Sequence, residues 1–276
     1  MSEHDAGLRI QDLRVAYGAR TILERLALPP IEPGCMVAVL GPNGVGKSTL
    51  LRAIARLLPA RGVVRLGRTD LLHGTRSDHL RCVGYLPQSL PQASSLLVYE
   101  AVSGALRATC GGLSNDEHDA RLHAVFTELH LHALAMKSLD QLSGGQRQMV
   151  GLAQVLIRQT PLLLLDEPTS ALDLRWQLLA LEAMRDAAKR RAAIVLVAMH
   201  DLNLASRFCD RLVLLGRDGV LADGRPADVL RAEHLRRAYR VDARIERTSD
   251  DDYIVLAERA VLDGDADRGS ELTAEH

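Results

Sequence analysis

Five apolar residues, Met36 to Leu40, run without a break into Gly41-Pro-Asn-Gly44-Val-Gly46-Lys47-Ser48, and a helical pattern follows from Ser48 to Leu58. This juxtaposition limits the chain more than any other feature. A short, continuous apolar run is the pattern of a strand buried on both faces. The glycines let the backbone take positive φ and approach a ligand with no Cβ in the way. The helix start behind them points N–H groups at whatever anion sits there. Gly41, Pro42, Asn43, Gly44 and Gly46 therefore read as a phosphate cradle, with Lys47 placed to supply a compact charge to β- and γ-phosphates and the Ser48 hydroxyl placed to ligate Mg²⁺.

Leu162 to Leu165 and Ile194 to Met199 have the same doubly buried look, and Cys82 to Leu86 is a weaker instance. Helical patterns run from Arg175 to Arg190 and from Leu202 to Phe208, and strands alternating with helices point to a parallel α/β sheet. Near the start, Leu8, Ile10, Leu13, Val15 and Tyr17 alternate as in an amphipathic strand with an irregularity near Gln11-Asp12, expected to be antiparallel and near an edge. Between residues 90 and 150 the strand signal disappears. Leu97 to Ala108 and Asp116 to Leu131 are helically spaced, and Ser114 with Glu117 predicts a capping box. Arg211 to Leu215 and Val220 to Asp223 flank Asp218-Gly219 as an edge hairpin. The expected organisation is one domain over residues 1–262. It comprises a core (1–89 and 151–240), a helical insertion (90–150) and a small C-terminal extension (241–262), before an acidic tail (263–276) that is expected to be disordered.

Leu162-Leu-Leu-Leu165-Asp166-Glu167 places two carboxylates at the end of a buried strand. Asp166 suits the holding of Mg²⁺ and Glu167 the polarising of an attacking water. In an open parallel sheet, ligands bind at the carboxyl ends of the strands, so whatever follows each buried strand belongs to one rim. Gly41, Gln88, Asp166 with Glu167, and His200 each follow such a strand. A cradle, an amide, two carboxylates and an imidazole would then surround one anion, Gln88 orienting water or a Mg²⁺ ligand and His200 reaching a terminal phosphate oxygen. Leu142-Ser143-Gly144-Gly145-Gln146 opens a second helix with an N-cap at Ser143; a tight capped turn accounts for these residues, and their chemistry alone names no anion.

Composition narrows the partners. Lys and Arg total 34 against 35 Asp and Glu in 276 residues, so the overall charge does not call for a nucleic acid. The longest apolar run, Ala192 to Met199, is far short of the roughly 20 residues of a membrane span. Met1-Ser2-Glu3-His4-Asp5 lacks the basic start of a secretory signal, so retention in the cytosol is expected. Cys35, Cys82, Cys110 and Cys209 form no Cys-x-x-Cys pair and are expected to be reduced and mostly buried. His118, His123, His130 and His132 read as a solvated helical face rather than a metal site.

In their order along the chain these motifs resemble the ATP-binding subunits of ABC transporters, over roughly residues 8 to 230. The resemblance implies a P-loop NTPase core with a mostly parallel sheet, an N-terminal antiparallel β part and a helical insertion subdomain. Tyr17 looks like the aromatic that stacks on adenine, Gly41 to Thr49 the Walker A loop, and Gln88 the Q-loop glutamine. Ser143, Gly144, Gly145 and Gln146 lie in the signature motif, Asp166 and Glu167 end Walker B, Asp173 closes the D-loop and His200 is the switch histidine. The family implies ATP and Mg²⁺ as cofactors and a head-to-tail pair of subunits in which Ser143 and Gly145 of one complete the γ-phosphate site of the other. It also implies integral membrane permease subunits, an indirect substrate-binding protein outside the cell, and a peripheral position on the cytoplasmic face of the plasma membrane. Gly144 to Gln154 and Met199 to Ala205 are similar to importers of iron-siderophore, haem and cobalamin. Two other readings are an ATPase of this type for another cargo, and one acting on nucleic acid or the ribosome. Leu96 to Tyr99 reads either as insertion core or as the seat of a short helix from the membrane subunit.

Overall fold

The computed structural model describes residues 7–18, 20–90, 94–109, 112–248 and 252–262. In chain order its strands and helices are β1 (Leu8–Tyr17), β2 (Arg20–Ile31), β3 (Met36–Leu40), α1 (Lys47–Ile54), β4 (Ala60–Leu66), β5 (Thr69–Asp70), α2 (Arg76–Cys82), β6 (Val83–Leu86), α3 (Val98–Thr109), α4 (Asn115–Glu128), α5 (Gly144–Leu156), β7 (Leu162–Asp166), α6 (Leu174–Arg191), β8 (Ile194–Ala198), α7 (Leu202–Phe208), β9 (Arg211–Gly216), β10 (Gly219–Gly224), α8 (Pro226–Val229), α9 (Ala232–Tyr239), β11 (Val241–Arg247) and β12 (Tyr253–Ala260).

A six-stranded sheet in the order β10-β9-β3-β8-β7-β6 forms the centre, parallel from β9 to β6 with β10 added antiparallel at one edge. The central strands β3 and β8, and β7 up to Leu165, are apolar because each faces two cores. Met36, Ala38 and Leu40 point into the core shared with α5, α6 and α7, while Val37 and Val39 point into the core shared with α1 and the second sheet. Leu163 and Leu165 divide from Leu162 and Leu164 in the same way. This alternation in space is why the sequence shows no alternation in hydropathy. The mixed α/β architecture is the one the motif order predicts.

The second sheet, in the order β2-β1-β4-β5, is antiparallel. Its β1 bears the expected irregularity, with Asp12 at φ 47° and a register shift on either side. The expected edge position is wrong, since β1 pairs with β2 on one side and β4 on the other. Three further details differ from expectation. Cys82 closes α2 rather than opening β6. In the β9–β10 hairpin Gly216 pairs with Gly219, so Arg217-Asp218 is the loop and Gly219 opens β10 at φ 114°. His118 is buried rather than solvated, with its Nε2 3.1 Å from the Ser103 hydroxyl. Cys209 is buried while Cys35 and Cys82 are half-buried; Cys110 and the acidic tail lie outside the described residues. No described helix is long and apolar enough to cross a membrane.

The Ser114–Glu117 capping box forms at the start of α4 as its residues predict. Leu96 and Tyr99 are exposed beside the fully buried Val98, so the stretch offers an apolar surface next to packed helix core.

Candidate functional site

Parallel register sets the site. Val39 lies beside Ala198 and Ala198 beside Asp166, while Leu165 lies beside Leu86, so the chains leaving β3, β8, β7 and β6 emerge along one edge. The Met199 N–H bonds the Val39 carbonyl at 3.2 Å and the Glu167 N–H the Ala198 carbonyl at 3.1 Å, which extends the sheet one step towards the rim.

The turn after β3 needs its glycines. Gly41 stands at φ 140°, and a Cβ there would meet the Leu215 carbonyl oxygen at 2.6 Å. Gly46, at φ 113°, caps α1, where a Cβ would come within 2.7 Å of the Leu23 side chain. Between them the chain wraps Lys47, which is buried and donates from Nζ to the carbonyls of Gly41 (2.6 Å) and Pro42 (3.1 Å). Burial lowers the Lys47 pKa, against the opposing pull of the Glu167 and Asp166 carboxylates. The Ser48 hydroxyl donates to Asp166 Oδ1 at 2.8 Å.

Asp166 is fully buried, and burial raises its pKa despite the Ser48 bond and the nearby Arg52 and Lys47 cations. Its second oxygen, Oδ2, is buried without a partner. A buried, unpaired carboxylate oxygen costs free energy of order 1–3 kcal/mol or more. Together with the Ser48 hydroxyl it forms the small, hard-oxygen set that suits Mg²⁺, an ion usually bound by one or two protein groups and the substrate phosphates.

Glu167 adopts φ 51°, in the left-handed region, a conformation that costs a non-glycine residue about 1–2 kcal/mol. Ser170 holds the turn, donating from N–H and Oγ to the Glu167 carbonyl at 3.3 and 3.1 Å. The Glu167 carboxylate there accepts the Gln88 Nε2 at 2.7 Å on one oxygen and contacts His200 Nε2 with the other. Residues 79 and 33 positions distant thus meet on one side chain. A cleft of about 530 Å³ lies over them, walled by Asn43, Gly44, Gly46, Lys47, Ser48, Thr49, Gln88, Glu167 and His200, with Arg20 and Ile22 from β2. Arg20 and Ile22 escape a motif reading because only the fold brings β2 to the loop.

The remaining candidates stand elsewhere. Tyr17 ends β1, exposed, outside the walls of this cleft. Ser143 caps α5, accepting the Gln146 N–H at 3.2 Å, while the Gln146 side chain accepts the Ser143 N–H at 3.1 Å. Ser143 and Gly144 are exposed, and Gly145 sits so close to the Ala171 carbonyl that a Cβ would lie at 3.0 Å. Asp173 caps α6 by accepting the Trp176 N–H at 3.0 Å. None of these residues lines the cleft.

Residues 29–170 match the ABC transporter family (ABC_tran), and the chain belongs to that family. Over 249 residues it is 43% identical to the hemin import ATP-binding protein HmuV of Pseudomonas aeruginosa, covering 87% of this chain and 95% of the relative. The ferric enterobactin transport ATP-binding protein FepC of Escherichia coli is 35% identical over 243 residues, with 87% and 89% covered. A solved dimeric post-hydrolysis state of the ATP-binding cassette MJ0796, bound to ADP and Pi, matches with a TM-score of 0.71 at 26% identity, covering 79% of this chain and 98% of that one.

Proposed function

We propose that the chain is the ATP-binding and ATP-hydrolysing subunit of an importer for iron-siderophore, haem or cobalamin cargo. It would work as a head-to-tail dimer under a separate membrane permease at the cytoplasmic face of the plasma membrane. The observation that carries the enzymatic part is the meeting of Gln88 and His200 on Glu167, in a cleft shared with Lys47 and Ser48. The cargo class rests on the named functions of the relatives, and the exposed Leu96 and Tyr99 offer a surface for the permease. We read residues 1–89 and 151–240 as the RecA-like core, 90–150 as the helical insertion and 241–262 as an extension.

In this reading Lys47 spends two of its three donors on the loop's own carbonyls and keeps one for the β- and γ-phosphates. Ser48 and Asp166 would hold Mg²⁺, which offsets negative charge on the phosphates when bound. Glu167 accepts a proton from the water whose oxygen attacks the γ-phosphorus as the bond from that phosphorus to the bridging oxygen breaks. Gln88 and His200 fix the carboxylate beforehand, so little reorganisation is left for the chemical step.

Lys47→Ala is expected to weaken ATP binding by at least about tenfold, the loss of one charge-assisted contact, measured by calorimetry on the purified chain. An unchanged dissociation constant would remove Lys47 from the phosphate site. The transport role is tested by co-expressing the chain with a haem or ferric-siderophore permease. It should co-purify from membranes, with ATP turnover that rises when the cognate loaded binding protein is added. A chain that ignores every such permease and instead binds RNA or DNA with salt-sensitive affinity would overturn it.

A further inference from the structure

The C-terminal segment has no place among the motifs, yet it bonds the phosphate loop at one point and α7, the helix after His200, at another. Tyr239, at the end of α9, accepts the Gly41 N–H on its hydroxyl at 2.8 Å, across 198 positions of sequence. The Gly41 carbonyl in turn accepts Lys47 Nζ, so the peptides on both sides of the first loop glycine are pinned, one by α9 and one by the lysine. Burial of Tyr239 pushes its pKa up to about 12, so the phenol keeps its proton and its oxygen meets the N–H as a neutral acceptor.

From Arg240 the chain enters the β11–β12 hairpin, which the Val261 N–H closes on the Arg240 carbonyl at 2.8 Å. The hairpin lies on α7, where the Tyr253 N–H donates to Ser206 Oγ at 3.2 Å and the Val255 N–H to Asn203 Oδ1 at 2.7 Å. That helix begins at the Asp201 cap, one residue beyond His200. Helix α9 and the paired strands β11 and β12 therefore grip the phosphate loop at one end and the helix that follows His200 at the other.

We propose that Tyr239 is a positioning residue for the nucleotide site, and that the hairpin is a strap fixing the spacing between the phosphate loop and the His200 turn. The inference rests on the nucleotide reading of the cleft. Tyr239→Phe keeps the ring and removes the acceptor, leaving the Gly41 N–H without its bond. Its ATP dissociation constant and KM should rise about five- to tenfold, the usual size of one lost hydrogen bond to a polar group held away from water. Its kcat should stay close to wild type, and its melting temperature should fall by no more than a few degrees, the cost of one unpaired N–H. The double variant Asn203→Ala, Ser206→Ala frees the far end of the strap and should raise KM in the same direction, by a smaller factor. Lys47→Ala serves as control. Wild-type affinity in Tyr239→Phe while Lys47→Ala has lost binding overturns the inference alone; wild-type affinity in both overturns the nucleotide reading beneath it. A Tyr239→Phe chain in which kcat and melting temperature fall together with affinity assigns the residue to general packing and also overturns the proposal.

Discussion

Glu167→Gln is expected to slow ATP hydrolysis at least 100-fold, about 2.7 kcal/mol of barrier, at the lower end of what a positioned general base contributes. ATP affinity should stay within about a factor of two, because the amide has the carboxylate's shape and Glu167 faces Gln88 and His200 rather than the loop. The backbone there should not move. Its left-handed turn is held by Ser170 and by the Ala198 carbonyl, none of which involves the Glu167 side chain. What the variant loses is the capacity to take a proton. An amide is also donor and acceptor at once, so it no longer accepts from Gln88 and His200 alike. Single-turnover hydrolysis beside a binding isotherm separates the two quantities. Turnover within tenfold of wild type would mean that water is activated by another group, and a parallel collapse of affinity would mean that Glu167 holds nucleotide rather than water.

Some parts of this fold are written in the local sequence and others are not, for physical reasons. The doubly buried strands β3 and β8, and β7 up to the functional Asp166, are marked by composition alone, since both faces of each pack against apolar core. Once those strands are parallel, the residues after each one must share an edge, so the grouping of Lys47, Gln88, Glu167 and His200 follows from topology alone. Two kinds of fact stayed hidden. Main-chain pairing carries little side-chain signature, so the alternation in β1 told which face is buried but not that both its edges are occupied. Contacts between distant segments leave no local pattern either. Tyr239 meets Gly41 through a hydroxyl in a helix with an otherwise ordinary sequence, and His118 looks solvated among Asp116, Glu117 and Asp119 until α3 presents Ser103. The left-handed Glu167 belongs with these, because a glutamate after a strand gives no hint of positive φ.

Ser143→Arg is expected to abolish ATP-driven dimerisation while each chain still binds ATP. Within one chain, Ser143 is exposed, engaged only in its own cap and absent from the walls of the cleft, so any role it has in nucleotide chemistry must be exercised on a second copy. An arginine there would set a bulky cation where the proposed partner's loop and phosphate dock. Loss of the cap itself costs about 1 kcal/mol, and Ser143→Ala, which loses the cap without adding bulk, isolates that part; it should still dimerise. Mixing decides the geometry. A Ser143→Arg chain, which cannot pair with itself because both interfaces would carry the arginine, is mixed with a Lys47→Ala chain, whose ATP binding is weakened; the mixed pair carries the arginine at one interface only, and its other site unites the intact Lys47 of the first with the intact Ser143 of the second. If the sites are shared head to tail, the mixture should recover hydrolysis at that one site, read as ATP turnover above that of either variant alone and rising with the proportion of mixed dimers. If each chain instead used its own Ser143, every site in the mixture would carry one defect, turnover would stay at the level of the separate variants, and the dimer proposed above would be wrong.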